Sequence, residues 1–155
     1  MLSQNTSDAV GIIIVDHGSR RKESNQMLQE AAKRFAAQSQ YSIVEPAHME
    51  LAEPTIAQAF GRCVDRGASR VVVFPYFLSP GRHWSDDIPS LVADAATNYP
   101  HIPWLVTAPF GLHPGMLEII NDRIQFCLRE AHSQDDARCD VCENASRCEF
   151  RTAGQ

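Results

Sequence analysis

The sequence predicts an α/β fold, a single three-layer domain in which a four-stranded parallel sheet carries helices on both faces. Three observations predict it. Short β-branched runs such as GIIIV at 11–15 and RVVVFPYFL at 70–78 read as strands buried on both faces. Each strand-like run is followed by a segment with helical apolar spacing. Alternation of this kind demands right-handed βαβ crossovers, which produce a parallel sheet of flavodoxin-like architecture.

The elements follow in order. GIIIV at 11–15 is the first strand, and from Glu23 to about Ala37 the residues Met27, Leu28, Ala31 and Phe35 mark an amphipathic helix, with Ser24 or Asn25 available to cap it. The second unit runs from YSIVEPAHMEL at 41–51 into AEPTIAQAFGRCVDRG at 52–67. Pro54 suits its first helical turn, Gly67 suits its stop, and Ile56, Phe60, Cys63 and Val64 share one face. The third unit is SRVVVFPYFL, the loop SPGRHWSDD at 79–87, and DIPSLVADAATNY, ended by Pro100. The fourth is IPWLVTA at 102–108, the loop PFGLHPG, and MLEIINDRIQFCLREAH. The domain is expected over 1–131, with a cysteine-containing tail over 132–155.

At 155 residues, 44% hydrophobic and 21% charged, the chain has enough material for one core. A formal charge of −5 argues against nucleic acid as a partner. No apolar run approaches the ~20 residues that span a bilayer, so no membrane partner is expected. The N-terminus MLSQNTSDAV lacks the pattern of a secretory or transit peptide. Five cysteines, an odd number, argue for a reducing compartment over a disulfide framework. Cys63 and Cys127 lie at apolar helical positions and are expected to be buried, whereas Cys139, Cys142 and Cys148 stand in a polar stretch suited to thiolate chemistry.

In open parallel sheets, ligands sit beyond the carboxyl ends of the strands, where loops converge. His17, Ser19, Arg20 and Arg21 follow strand one; His48, Glu50 and Glu53 follow strand two; Arg82, His83 and Asp86 follow strand three; His113 follows strand four. Four of six histidines thus fall at one edge, with His101 and His132 left as surface residues. Imidazole binds transition metals and accepts protons at neutral pH. Arginines in an otherwise acidic chain suit a ligand bearing carboxylates or phosphates, and Tyr76, Phe77 and Trp84 offer flat apolar surfaces.

The stretches VDHGSRRKESN, EPAHMELAEP and FPYFLSPGRHWSDDIP, read together, resemble the short class II tetrapyrrole chelatases, the sirohydrochlorin ferrochelatase and cobaltochelatase (SirB/CbiX) family, from about Gly11 to Cys148. The C-terminal CDVCENASRC is similar to the plant and cyanobacterial type, in which a cysteine motif is associated with a 2Fe-2S cluster. The resemblance implies ATP-independent insertion of ferrous iron into sirohydrochlorin to give sirohaem, with cobalt or nickel as alternative metals. It places the family's active-site histidines on His17 and His83. Ser19, Arg20 and Arg82 become candidates for the peripheral carboxylates, and Glu50 for an outer ligand or proton relay. Cys139, Cys142 and Cys148 become cluster ligands, one short of the four such a cluster takes. In the SPGRHWSDD loop, Gly81 is expected to turn tightly, Trp84 to flank the macrocycle, and Asp86 and Asp87 to cap the next helix.

Two other functions compete with this one. Phosphohistidine phosphatases carry R-H-G after their first strand, but Asp16 occupies the arginine position here and opposes phosphate. A non-catalytic metallochaperone or tetrapyrrole-binding module would use the same histidines to hold cargo stoichiometrically. One small domain offers one wall to a flat macrocycle, so a homodimer enclosing the cleft is expected. The resemblance implies the chloroplast stroma for a plant or algal source and the cytoplasm otherwise.

Overall fold

Isoleucine and valine have stiff side chains that pack well on a pleated surface, and Val10–Asp16 is accordingly an extended strand, β1. The computed structural model describes residues 9–131 and 139–142. The two faces of β1 feed two cores. Ile12 and Ile14 pack with Leu28 and Ala32 of α1 (Lys22–Gln38). Ile13 and Val15 pack on the other side with Phe60 of α2 (Ile56–Asp65) and Val92 of α3 (Ile88–Ala96). This gives three layers, helix on sheet on helix, as the alternation predicted.

β1 pairs in parallel with β2 (Ile43–His48) and β3 (Arg70–Pro75), and β3 pairs with β4 (Trp104–Val106), in the order β2-β1-β3-β4. Asp16 stands opposite His48, and Val15 opposite Pro75. The three longer strands therefore finish level, and the loops that leave them start side by side. α2 lies close on the sheet at Gly11, where a Cβ would approach Cys63 Cβ to 2.9 Å and Ala68 Cβ to 3.0 Å.

Several local expectations are corrected. α1 begins at Lys22 after Arg21, without a side-chain cap, because the Asn25 amide is turned back to clasp both the N–H and the carbonyl of Ser19. Pro54 lies before α2, not in its first turn. Thr55 is the N-cap and forms a reciprocal capping box with Gln58, which satisfies two helix-end donors at once. β4 is only three residues long, shorter than IPWLVTA; Pro103 has no N–H to give the ladder, although its carbonyl accepts from Val71 at 3.0 Å. Gly67, at φ +94°, ends α2 as expected.

The chain divides after Gly111 into two compact units. The first holds the sheet and α1 to α3. The second holds α4 (Pro114–Ala131) and the turn that bears Cys139 and Cys142. Leu117, Ile120, Ile124 and Leu128 of α4 recur at helical spacing and are exposed. Cys127 is exposed with them, which corrects the expectation that it is buried, whereas Cys63 is fully buried. No described helix is long and apolar enough to cross a membrane. His132 and Cys148 lie outside the described residues.

Candidate active site

The loop after β1 is shaped by short polar side chains. Asp16 Oδ1 accepts the Gly18 N–H at 2.9 Å, and Gly18 adopts φ +88°, a left-handed conformation that glycine enters without steric cost. Ser19 is used locally: its hydroxyl accepts the Arg21 N–H at 3.0 Å. The result projects His17 beyond the strand end, half-exposed.

The loop after β2 runs alongside. Met49 N–H donates to the Asp16 carbonyl at 2.8 Å, and Glu50 N–H to the His17 carbonyl at 3.0 Å. Glu50 Oε1 thereby comes to 2.9 Å from His17 Nε2. His48, which the sequence placed among the loop histidines, is instead fully buried, with Nδ1 at 2.6 Å from Asp16 Oδ1.

After β3 the chain does not form a simple loop. His83–Asp87 is a single π-helical turn that leads directly into α3. Such turns are uncommon and are often found at functional sites. The turn brings Asp87 Oδ2 to 2.7 Å from His83 Nδ1, leaving Nε2 as the ring's outward nitrogen. Asp87 thus orients His83, and the expected cap is corrected, because no side-chain cap hydrogen bond is made at the start of α3. Gly81 is also corrected: a Cβ there would meet nothing within 4 Å, so no tight turn requires glycine. Trp84 donates its indole N–H to the Thr107 carbonyl at 2.8 Å, fastening the turn to the segment after β4.

These loops bring His17 and His83 together. Their ring centroids are 4.9 Å apart in an edge-to-face arrangement, and the Phe77 ring lies tilted 6.4 Å from His83. Met49, Glu50, His83, Asp87, Ser90 and Leu91 line an open cleft of about 380 Å³ beside the pair. Among the described residues, no group of three or more His, Cys, Asp or Glu side chains is drawn together as a closed metal cage. Arg20 and Arg82 are exposed and pair with no carboxylate among the described residues. His113 belongs to the second unit, where its Nδ1 accepts the Gly115 N–H at 3.0 Å. His101 is exposed, as expected.

The sequence reading missed Asp87 as the partner of His83 and Asp16 as the partner of His48. The first was signalled by the four-residue spacing, which suits a helical turn. The second had no signal in the sequence, because it depends on the β1–β2 register.

In the second unit, Cys142 N–H donates to the Cys139 carbonyl at 3.1 Å. The backbone N–H groups of Cys142 and Val141 hold the Cys139 thiol below the usual thiol range, because they stabilise its thiolate. Arg123 of α4 pairs with Asp140 inside this turn. The Asp140 hydrogen bond holds the Arg123 guanidinium above its ordinary range, and the nearby charges of Cys139 and Cys127 add to the effect.

With this geometry in hand, comparison with known proteins is direct. Residues 11–126 match the family model described as CbiX. This chain belongs to the CbiX family. Among CbiX relatives, the sirohydrochlorin ferrochelatase, chloroplastic, of Arabidopsis thaliana is 56% identical over 151 residues, covering 97% of this chain and 66% of that protein. The sirohydrochlorin cobaltochelatase of Methanococcus maripaludis is 42% identical over 81 residues, 52% of this chain and 56% of that one. The solved structure of SirB from Bacillus subtilis with Fe3+ superposes with a TM-score of 0.71 at 29% identity, covering 76% of this chain and 47% of that one. This CbiX chain therefore spans between about half and two thirds of these relatives' length.

Proposed function

We propose that this chain inserts ferrous iron into sirohydrochlorin to make sirohaem, without ATP. The observation that carries the reading is the pair of imidazoles 4.9 Å apart, each backed by its own carboxylate, Glu50 at 2.9 Å and Asp87 at 2.7 Å. Two ligands bound at ~2.1 Å to one metal lie roughly 3.0–3.4 Å apart, for cis-octahedral or tetrahedral angles. His17 Nε2 and Glu50 Oε1, at 2.9 Å, are near the lower figure, so this pair is read as the place where an incoming divalent ion would be held once their mutual contact opens.

The proton balance fits the same groups. Sirohydrochlorin gives up two pyrrole N–H protons as one divalent ion enters the ring. When the ion leaves the imidazoles for the four ring nitrogens, the freed lone pairs of His17 and His83 accept those protons. Glu50 and Asp87 stabilise the resulting imidazolium rings and pass the protons to water. An open ligand set suits this duty, because the ion has to be released in each turnover. Arg20 and Arg82, exposed and unpaired among the described residues, are assigned to the substrate's peripheral carboxylates. Ser19 is assigned to the same rim through its loop.

The working cavity is read as closed by a second copy of the chain, since the cleft is open on one side and a flat macrocycle needs a second wall. For the 2Fe-2S cluster, the described donors fit: Cys139 and Cys142 form a turn whose backbone N–H groups stabilise thiolate, as cluster ligation requires. Cys148 is assigned as the third ligand, and the fourth is assigned to a donor from elsewhere, such as a partner chain. By likeness to the Arabidopsis relative, a plastid stroma is the compartment proposed.

The test is anaerobic turnover with sirohydrochlorin and ferrous iron. Many sirohaem molecules per chain are expected, with His17→Ala and His83→Ala each losing most of the rate while remaining folded. One sirohydrochlorin held per chain without turnover would make the protein a carrier, and faster insertion of cobalt or nickel would change the metal. Light scattering of an active monomer would overturn the dimer.

A further inference from the structure

The loops after β1 and β2 are fastened together by a pair that the chemistry above does not use, the buried His48 and the partly exposed Asp16. His48 is fully buried, with Nδ1 at 2.6 Å from Asp16 Oδ1 and Nε2 without a hydrogen-bond partner among the described residues. The ring is accordingly held as the Nδ1–H tautomer, because a proton on Nε2 would be a buried donor with nothing to meet.

The same Asp16 oxygen also accepts the Gly18 N–H at 2.9 Å. Two backbone bonds complete the join, Met49 N–H to the Asp16 carbonyl at 2.8 Å and Glu50 N–H to the His17 carbonyl at 3.0 Å. One carboxylate therefore grips the residue after His17 and, through His48, the segment that leads to Glu50. A fully buried polar ring tied to a carboxylate is seldom better for stability than apolar side chains of equal volume. A carboxylate and an imidazole at the root of both site loops therefore call for a role beyond holding the fold.

We infer that Asp16 and His48 are positioning residues, a clasp that sets the separation of His17 and Glu50. The inference rests on the metal-insertion reading for its consequence, but not for its geometry. Asparagine at position 48 can place an amide N–H near the Nδ1 position, whereas leucine fills the space without a donor.

The experiment compares His48→Leu, His48→Asn and Asp16→Asn in the full chain, each checked for folding by circular dichroism. Long-range 1H–15N spectra of the imidazole rings report on His17 without metal or substrate, with Glu50→Ala marking the signal of a His17 that has lost its carboxylate. His48→Leu is expected to move the His17 resonances toward that marker, and His48→Asn to keep them near wild type. In turnover, His48→Leu should lower kcat about 10–100-fold, the usual effect of losing an outer-shell partner, with KM for the tetrapyrrole unchanged. Should His48→Leu fail to fold, Asp16→Asn, which keeps the shape but weakens the charge-assisted bond, is expected to shift both readouts in the same direction. Unchanged His17 resonances in folded His48→Leu or Asp16→Asn would overturn the clasp, and so would a kcat loss that His48→Asn does not recover. Wild-type protein without turnover would defeat the chelatase reading alone, leaving the ring resonances to decide the clasp.

Discussion

Replacing Gly18 with alanine tests how tightly the two histidine-bearing loops are joined. A Cβ at this position would stand 1.9 Å from the Glu50 carbonyl oxygen and 3.2 Å from His48 Cβ. A carbon and a carbonyl oxygen rest no closer than about 3.3 Å, so the loops must part by about 1.4 Å. The left-handed backbone at φ +88° adds its own cost for any residue with a side chain, about 1–2 kcal/mol. Loss of the Glu50 N–H to His17 carbonyl bond adds about 1 kcal/mol. The sum, about 2–3 kcal/mol, should lower Tm by about 4–12 °C. Displacing a reacting group by about 1 Å commonly costs about 100-fold in rate, and the movement falls between His17 and Glu50. Thermal melting by circular dichroism and steady-state sirohaem formation by absorbance read the two effects separately. A Gly18→Ala protein with wild-type Tm and wild-type rate would show that the loops are not held as described.

Three further outcomes follow from the same structure. Arg82→Ala should raise KM for the tetrapyrrole about tenfold, the value of one charge-assisted contact, and leave metal affinity unchanged; equal affinity for the tetrapyrrole would remove Arg82 from the rim. Burial pushes the Cys63 thiol up to about 12, so the native state keeps its proton at alkaline pH where an unfolded thiol has lost it. Its contribution is full below an ordinary thiol's titration range near 9 and is lost as pH rises toward 12, so chemical denaturation across that window should show a decline that Cys63→Ala removes. Phe60→Ala, which empties a fully buried site stacked 5.6 Å from Tyr99, should cost about 3–5 kcal/mol by urea denaturation, and a loss under about 1 kcal/mol would contradict the packing.

The sequence by itself determined the architecture and the chemistry-bearing ends of the strands. GIIIV and RVVVFP could be read because a strand buried on both faces needs an unbroken apolar run, and the intervening periodicity left only a parallel sheet. His17 and His83 could be read because both follow such runs, and strand ends are where loops converge. Tertiary structure alone decided how each was partnered. His48 looked like any loop histidine, yet the β1–β2 register sets it opposite Asp16 and buries it. SPGRHWSDD looked like a loop with a helix cap, yet a π-turn aims Asp87 at His83. Cys127 looked like a core position, because helical spacing records that a face is apolar but not what covers it. Local pattern fixes where a side chain leaves the backbone, whereas hydrogen-bond partners and burial come from segments distant in the chain, whose approach depends on register and loop path.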